Sequence, residues 1–180
     1  MPQVSVLLLF LLICWNSLLA QSATIETIAF YNVENLFDPI DDPTSFDDDY
    51  TPKGRNHWTT NLLRQKINHL AEVIVQIGKK ETGKPPLLIG LAEVENRAVL
   101  EELIAHPKVR QYGYDILHFD SPDSRGIDVA LLYRKSFFLL NSAKKYKLNL
   151  VDPKTQLRRT TRDQLVVSGF LEEIELAVTV

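Results

Sequence analysis

The sequence has almost no cysteine: Cys14 is the only one among 180 residues. A disulfide framework and a cysteine-ligated zinc site are therefore both excluded. It also lacks a surplus of either charge, with 20 Lys and Arg against 23 Asp and Glu and a net charge of −3. No bulk positive field can then hold nucleic acid nonspecifically, and any such contact must come from a local site. Seven glycines and nine prolines are too few for a collagen-like or low-complexity chain, and 45% hydrophobic residues are too many for a disordered one. The continuous apolar run at residues 6–15 falls well short of the roughly 20 residues that a membrane-spanning helix needs.

What is present begins with that run. Residues 4–20 read VSVLLLFLLICWNSLLA, without a charged side chain. Asn16 and Ser17 break the apolar stretch, and Ala20 offers a small residue at a plausible cleavage point. The segment reads as a secretory signal peptide over residues 1–20, with the α-amino group as its only positive charge. An uncleaved membrane anchor is the alternative. Leu12 and Ile13 precede Cys14, where a lipoprotein would carry a small residue, so Cys14 belongs to the discarded segment. Residues 21–180 would then form one exported domain, periplasmic or extracellular, with no cysteine.

Within that domain, residues 24–30 alternate in polarity and carry β-branched side chains, a strand pattern. Residues 38–58 form a Pro- and Asp-rich loop. Thr59 or Thr60 can cap a helix bearing Leu63, Ile67, Leu70, Ile74 and Ile77, one apolar stripe over about five turns. Residues 87–92, LLIGLA, read as a strand buried on both faces. Asn96 can cap a short helix with Leu100, Leu103 and Ile104, and strand patterns follow at 114–119, 128–134, 137–150, 164–172 and 175–180. Strand, helix, strand, helix and then a run of strands predict an α/β or α+β sheet layered with helices. The last strand pattern runs to Val180 without a closing turn, so the chain is expected to be the N-terminal part of a larger domain. Half of a two-sheet domain would expose an inner sheet face, with Val129, Leu131 and Val166 among its residues, and would aggregate or stay partly unfolded on its own.

Two polar residues stand where strands end, Asn32 and Glu93. Sites in open α/β sheets form at the carboxyl ends of strands, so the two can converge. A carboxylate there is a hard oxygen ligand suited to Mg²⁺ or Ca²⁺, and an amide can hold a phosphate oxygen. Spacing alone favours the plainer reading, in which Asn32 caps a turn and Glu93 is solvated. The adjacent acids Asp47, Asp48 and Asp49 lack the ligand spacing of a helix-loop-helix calcium site and read as a solvated loop. The basic run Lys144, Lys145 and Lys147, interleaved with Tyr146, reads as a strand with one exposed face.

The flanking residues add a specific likeness. Residues 30–38, FYNVENLFD, resemble the opening motif of the endonuclease/exonuclease/phosphatase superfamily, the deoxyribonuclease-I-like fold, and residues 91–96, LAEVEN, resemble its second motif. Residues 121–133, SPDSRGIDVALLY, are similar to a third block of secreted bacterial members, which the TPKG and WT segments at 51–54 and 58–59 also fit. Residues 161–167, TRDQLVV, resemble the strand before the catalytic-histidine motif. The resemblance implies a four-layered α/β sandwich, about one half of it present, and hydrolysis of a phosphoester by an activated water. Glu93 would hold a divalent cation, usually Mg²⁺ and otherwise Mn²⁺ or Ca²⁺, with Asn32 orienting the site; Arg125, Asp128 and Arg162 would meet the substrate. The substrate would be a phosphoester, nucleic acid among the candidates, and no protein partner is implied. The family's Asn-His-Trp-Pro-Ser-Arg, Gly-Asp-Phe-Asn and Ser-Asp-His segments have no counterpart here, and His57, His69, His106 and His118 read as structural or solvated. This chain alone is therefore expected to be inactive. A non-catalytic exported remnant or binding module with the same half-fold is the alternative.

Overall fold

The computed structural model describes residues 25–171 and 174–180. The signal-peptide reading of residues 1–20 lies outside the described residues. Among those described, no helix is long and apolar enough to cross a membrane.

In chain order the elements are β1 (Ile28–Leu36), α1 (Thr60–Ile74), the single turn α2 (Lys79–Thr82), β2 (Leu88–Val94), α3 (Arg97–Ala105), β3 (Tyr114–His118), β4 (Asp128–Arg134), β5 (Phe138–Tyr146), β6 (Leu150–Val151), β7 (Arg158–Arg159), β8 (Gln164–Leu171) and β9 (Ile174–Thr179). The starts of α1 and α3 follow from their caps. Thr59 accepts from the Leu62 amide, and Asn96 accepts from the Val99 amide, each meeting one of the orphan donors of a first helical turn. Helix α1 ends at Ile74, short of Ile77 in the apolar stripe, and the chain passes through turns to Gly78, whose left-handed φ of 69° starts the next short helix.

The first sheet runs β1-β2-β4-β3. Strands β1 and β2 are parallel, joined by the α1 crossover, while β4 is antiparallel to both β2 and β3. Leu63, Ile67, Leu70, Ala71 and Ile74 of α1 and Val99, Leu100 and Leu103 of α3 bury against one face, on Ile89, Leu91 and Leu132. The other face meets a second sheet, β5-β8-β9, fully antiparallel. Leu88, Leu131 and Tyr133 pack there against Phe138, Leu165 and Val167, with the Tyr133 and Phe138 rings edge to face at 5.9 Å. Gly169 makes this close packing possible, since a Cβ there would lie 2.4 Å from the Phe138 ring and 2.5 Å from the Leu139 carbonyl oxygen.

Helices, first sheet and second sheet make three layers of the expected sandwich, and the described helices all precede β3. The inner face is not bare as the sequence reading anticipated: the second sheet leaves Leu131 0% exposed, and Val129 and Val166 are half-buried. On the edge strand β1, Ile28 and Phe30 remain 51% and 63% exposed.

The loop between β1 and α1 is held at both ends. The Phe37 and Tyr50 rings stack at 4.1 Å, and the Trp58 indole donates to the Phe37 carbonyl oxygen at 2.8 Å. The Asp38 amide donates to Glu95 Oε2 at 2.6 Å, and the Asn96 amide group donates to Asp38 and Glu95. Asp47 was expected among solvated acids; it is 1% exposed and accepts from the Asp42 amide. Its neighbours Asp48 and Asp49 are exposed as expected. Burial raises the Glu95 carboxyl to about 8, against the Asp38 amide that lowers it and with the Asp38, Asp47 and Asp42 charges that raise it further.

Two outcomes are expected. Leu91→Ala, at a fully buried position of β2, should cost about 2–5 kcal/mol in urea unfolding. Because folding raises the Glu95 pKa from 4.5 to about 8, the folded state holds the extra proton, and this contribution is complete below 4.5 and lost as pH rises through 8. Glu95→Gln should thus gain stability over the native chain progressively between those values and level off above them, as read from unfolding midpoints across the pH range.

Candidate active site

Parallel pairing sets Asn32 of β1 opposite Ala92 of β2, so Asn32 and Glu93 end up side by side at the carboxyl ends of adjacent strands. Both strands are irregular at this point. The β1–β2 register jumps from Asn32–Ala92 to Leu36–Val94, and the β2–β4 register from Ala92–Val129 to Val94–Asp128. Glu93 is the residue skipped in both ladders, with a left-handed φ of 68°, and Glu34 and Asn35 are left-handed at 54° and 63°. Left-handed backbone in a glutamate costs on the order of 1 kcal/mol or more and concentrates at functional sites. A bulge of this kind turns a side chain out of the strict up-and-down alternation of a strand.

The Glu93 carboxylate meets a group from the second sheet. Arg162, two residues ahead of β8, brings Nη1 to 3.6 Å from Glu93 Oε1, with side chains 29% and 18% exposed. Asn32 Oδ1 accepts from the Glu34 amide at 2.8 Å, which holds the left-handed turn. Asn32 thus caps this turn, and the β1–β2 pairing places it at a strand end adjacent to the one that carries Glu93. Lys66 of α1 donates from Nζ to the Glu34 carbonyl oxygen at 2.5 Å. Burial draws its ammonium below the usual lysine range, with the Glu34 and Glu93 charges opposing. The Tyr50 phenol is raised by burial, then by the negative charges of Glu93 and Asp49, while Arg125 and Arg55 pull it down.

Arg125 is fixed by Asp123, whose Oδ1 accepts from the Arg125 amide and Nε at 3.0 and 3.3 Å. Asp128 points inward. It is 4% exposed, with one oxygen 3.1 Å from His118 Nε2 and the other accepting from the Ser121 amide at 2.7 Å. In this arrangement it secures the 119–127 loop from a position inside the fold, almost wholly shielded from the surface where a substrate would arrive. Asp120 joins His118 and Asp128 in the described group of potential metal ligands, their atoms within 4.8 Å of one another. Asp163 is 3% exposed with neither oxygen hydrogen-bonded; Lys145 Nζ lies 3.9 Å away and donates to the Asp120 carbonyl oxygen at 2.6 Å.

The sequence reading missed Tyr50, Lys66, the His118–Asp128 pair and the Lys145–Asp163 pair. Lys66 was detectable in principle, being next to Ile67 at the edge of the apolar stripe. Tyr50 belongs to an irregular loop without periodicity. As donors, the Glu93 carboxylate and the Asn32 amide oxygen, which keeps one lone pair beyond the Glu34 amide, are hard oxygen groups that fit Mg²⁺, Mn²⁺ or Ca²⁺. Arg162 supplies the positive charge beside Glu93 in this structure.

Comparison with curated proteins gives no significant match. Among solved structures, ANGEL2, a 2',3'-cyclic phosphatase in complex with adenosine-2',3'-vanadate, superposes with a TM-score of 0.50 at 13% identity, over 86% of this chain and 40% of that one. A humanized D. rerio TDP2 gives a TM-score of 0.47 at 14% identity, over 84% of this chain and 44% of that one. The chain thus spans less than half the length of these structures, and the ANGEL2 likeness supports the fold. Over residues 27–180 the sequence matches the profile of the Endonuclease/Exonuclease/phosphatase family. With the deoxyribonuclease-I-like layering and the matching strand-end motifs, the chain belongs to the endonuclease/exonuclease/phosphatase family.

Proposed function

We propose that this chain carries the cation-binding and phosphate-binding part of a divalent-metal-dependent phosphoester hydrolase. The observation that supports it is the convergence of Asn32, the bulged Glu93 and Arg162 from three separate strand ends. Glu93 would hold the ion, Mg²⁺ by the family resemblance, with Asn32 keeping the adjacent turn in place. When bound, the ion polarises a phosphoryl oxygen and stabilises charge on the leaving oxygen. Arg162, released from Glu93 by the ion, would donate to a non-bridging phosphate oxygen through its planar fork. Arg125, braced by Asp123, would do the same from the opposite loop. Lys66 adds positive charge beside Glu34, and its lowered pKa reflects a partly dry environment, where fixed donors act most strongly on developing charge.

The attacking water needs a base. His118 is engaged with Asp128, and we assign the base to the histidine segment that the family resemblance implies, which this sequence does not contain. On this reading the chain is the N-terminal part of the enzyme, inactive alone and exported by residues 1–20. Its substrate class is a phosphoester.

Mn²⁺ binding, followed by paramagnetic resonance, tests the site without requiring turnover. Glu93→Ala should weaken Mn²⁺ at least tenfold, as loss of a ligand does. Arg162→Ala should strengthen Mn²⁺ severalfold, because a competing cation is gone, while weakening inorganic phosphate. Unchanged Mn²⁺ affinity in Glu93→Ala would sink the assignment. Mg²⁺-dependent hydrolysis of bis(p-nitrophenyl) phosphate separates the two classes of function: Glu93-dependent turnover by this chain would overturn its expected inactivity, and cation and phosphate binding without turnover by any extended form would leave a binding module.

A further inference from the structure

Four of the large exposed apolar side chains, Leu148, Leu150, Val151 and Leu157, fall within ten consecutive residues. They belong to the ribbon β6–β7 and its flanks, a two-stranded sheet separate from the other two. Every residue from 147 to 160 is exposed except Asp152, which is half-buried. The same stretch carries Lys147, Lys154, Arg158 and Arg159 against the single acid Asp152, in a chain whose net charge is −3. Single apolar residues on a surface need no explanation, whereas a group of them on one exposed element marks a contact surface.

The register combines the two kinds of side chain. Leu150 stands opposite Arg159 and Val151 opposite Arg158, and directly paired residues share a face. The Asp152 amide donates to the Leu157 carbonyl oxygen at 2.9 Å, which extends the ladder and puts Leu157 on the face of Leu150 and Arg159 by alternation. Arg158 Nη2 donates to Asn149 Oδ1 at 3.3 Å, so Asn149 lies on the Arg158 face and Leu148 on that of Leu150. One face therefore presents three leucines with Arg159, and the other Val151 with Arg158. The tip is tied. The Asp152 carboxylate accepts from the Lys154 and Thr155 amides at 2.8 and 2.9 Å, and its carbonyl oxygen accepts from the amide of Gln156, which is left-handed at 57°. The one acid is thus occupied within the turn, and the cations set the charge of the surface. A two-stranded ribbon with its leucines in water is marginal by itself and gains from whatever covers them.

We propose that this ribbon docks on an anionic lipid surface, its leucines entering the acyl boundary and its lysines and arginines meeting the headgroups. Charge complementarity selects the sign of the lipid. The aliphatic side chains select lipid over nucleic acid: a single strand presents bases, which stack on aromatic rings, and residues 147–160 hold no aromatic ring. Long cationic side chains keep their charge in the polar layer while neighbouring leucines go deeper. Tyr146, exposed at the end of β5, carries an amphipathic ring of the kind that settles at headgroup depth. The docking is peripheral and needs no membrane-spanning element. It is independent of the ion and phosphate assigned to Glu93 and Arg162.

The test is co-sedimentation of residues 21–180, which keep every described residue and omit the apolar N-terminal run, with two kinds of vesicle. One is phosphatidylcholine alone, the other equal parts phosphatidylcholine and phosphatidylglycerol. The native sequence should bind the anionic vesicles at least about tenfold more tightly, and the difference should shrink as salt rises. Arg158→Gln with Arg159→Gln should weaken anionic-vesicle binding about twentyfold, roughly fivefold for each charge removed. Arg159→Gln alone should still cost about fivefold, which keeps the test decisive if the double change disturbs the ribbon. Leu150→Ser with Leu157→Ser should weaken binding about tenfold or more. Lys79→Gln with Lys80→Gln, an exposed basic pair on α2, should leave it unchanged. An equal loss in that last pair, or no preference for the anionic vesicles, overturns the proposal. Oligonucleotide binding that depends on Arg158 and Arg159, without vesicle binding, overturns it in favour of nucleic acid. Self-association that is lost in Leu150→Ser with Leu157→Ser, again without vesicle binding, overturns it in favour of a second copy of the chain.

Discussion

Burial of β2 on both of its faces is the constraint from which the rest of the arrangement follows. Leu88 and Leu131 meet the second sheet on one side, and Ile89 and Leu91 meet α1 and α3 on the other. A strand so enclosed has no freedom to slip, because a one-residue shift would exchange its two apolar faces and break both ladders at once. Its carboxyl end is therefore a fixed point, where the chain leaves the core and first meets water. Glu93 occupies that point, and the bulge turns it away from the core positions that its neighbours Ala92 and Val94 fill.

The two layers divide the chemistry between them. The first sheet supplies the oxygen donors, Glu93 and Asn32. The second supplies the positive charge, through Arg162 at the start of β8. Neither sheet alone has a balanced site: Glu93 without Arg162 would be a half-buried carboxylate that has lost its ion-pair partner, and Arg162 without Glu93 a cation at a strand end that has lost its own. The apolar contact between the sheets, Leu131 and Tyr133 against Phe138, Leu165 and Val167, thus also sets the distance between a carboxylate and a guanidinium. Packing that is dense and shape-specific transmits position in this way, since interiors do not deform continuously.

Much of this was readable from residues 24–136, where regular periodicity dominates. The α1 stripe, the Thr59 and Asn96 caps and the continuous apolar run of β2 each carry a local signal strong enough to identify the element. Asn32 and Glu93 were legible as strand-end polar groups and, through their flanking motifs, as parts of a known family pattern. The irregular loop was less legible. Asp47 has the sequence signature of a solvated acid, but it is buried and accepts from the Asp42 amide. Tyr50 carries no periodic signal, because its position depends on Phe37, a residue thirteen places earlier that reaches it only after the loop folds back. Asp128 and His118 alternate normally along their strands, and only the antiparallel register of β3 against β4 makes them partners.

The sequence by itself determined the longer helices and strands, the starts of α1 and α3 and the oxygen-donor chemistry at two strand ends, because those depend on neighbours within a turn or a strand repeat; the short α2, β6 and β7 it did not reveal. Only the tertiary structure decided that the later strands form a second sheet covering Leu131, that Arg162 faces Glu93, that Asp128 turns inward, and that the loop at Phe46 docks on the loop at Ser124. Each of these joins residues far apart in the chain. Their meeting is fixed by strand register and by the packing of one layer on another, and no local pattern encodes either.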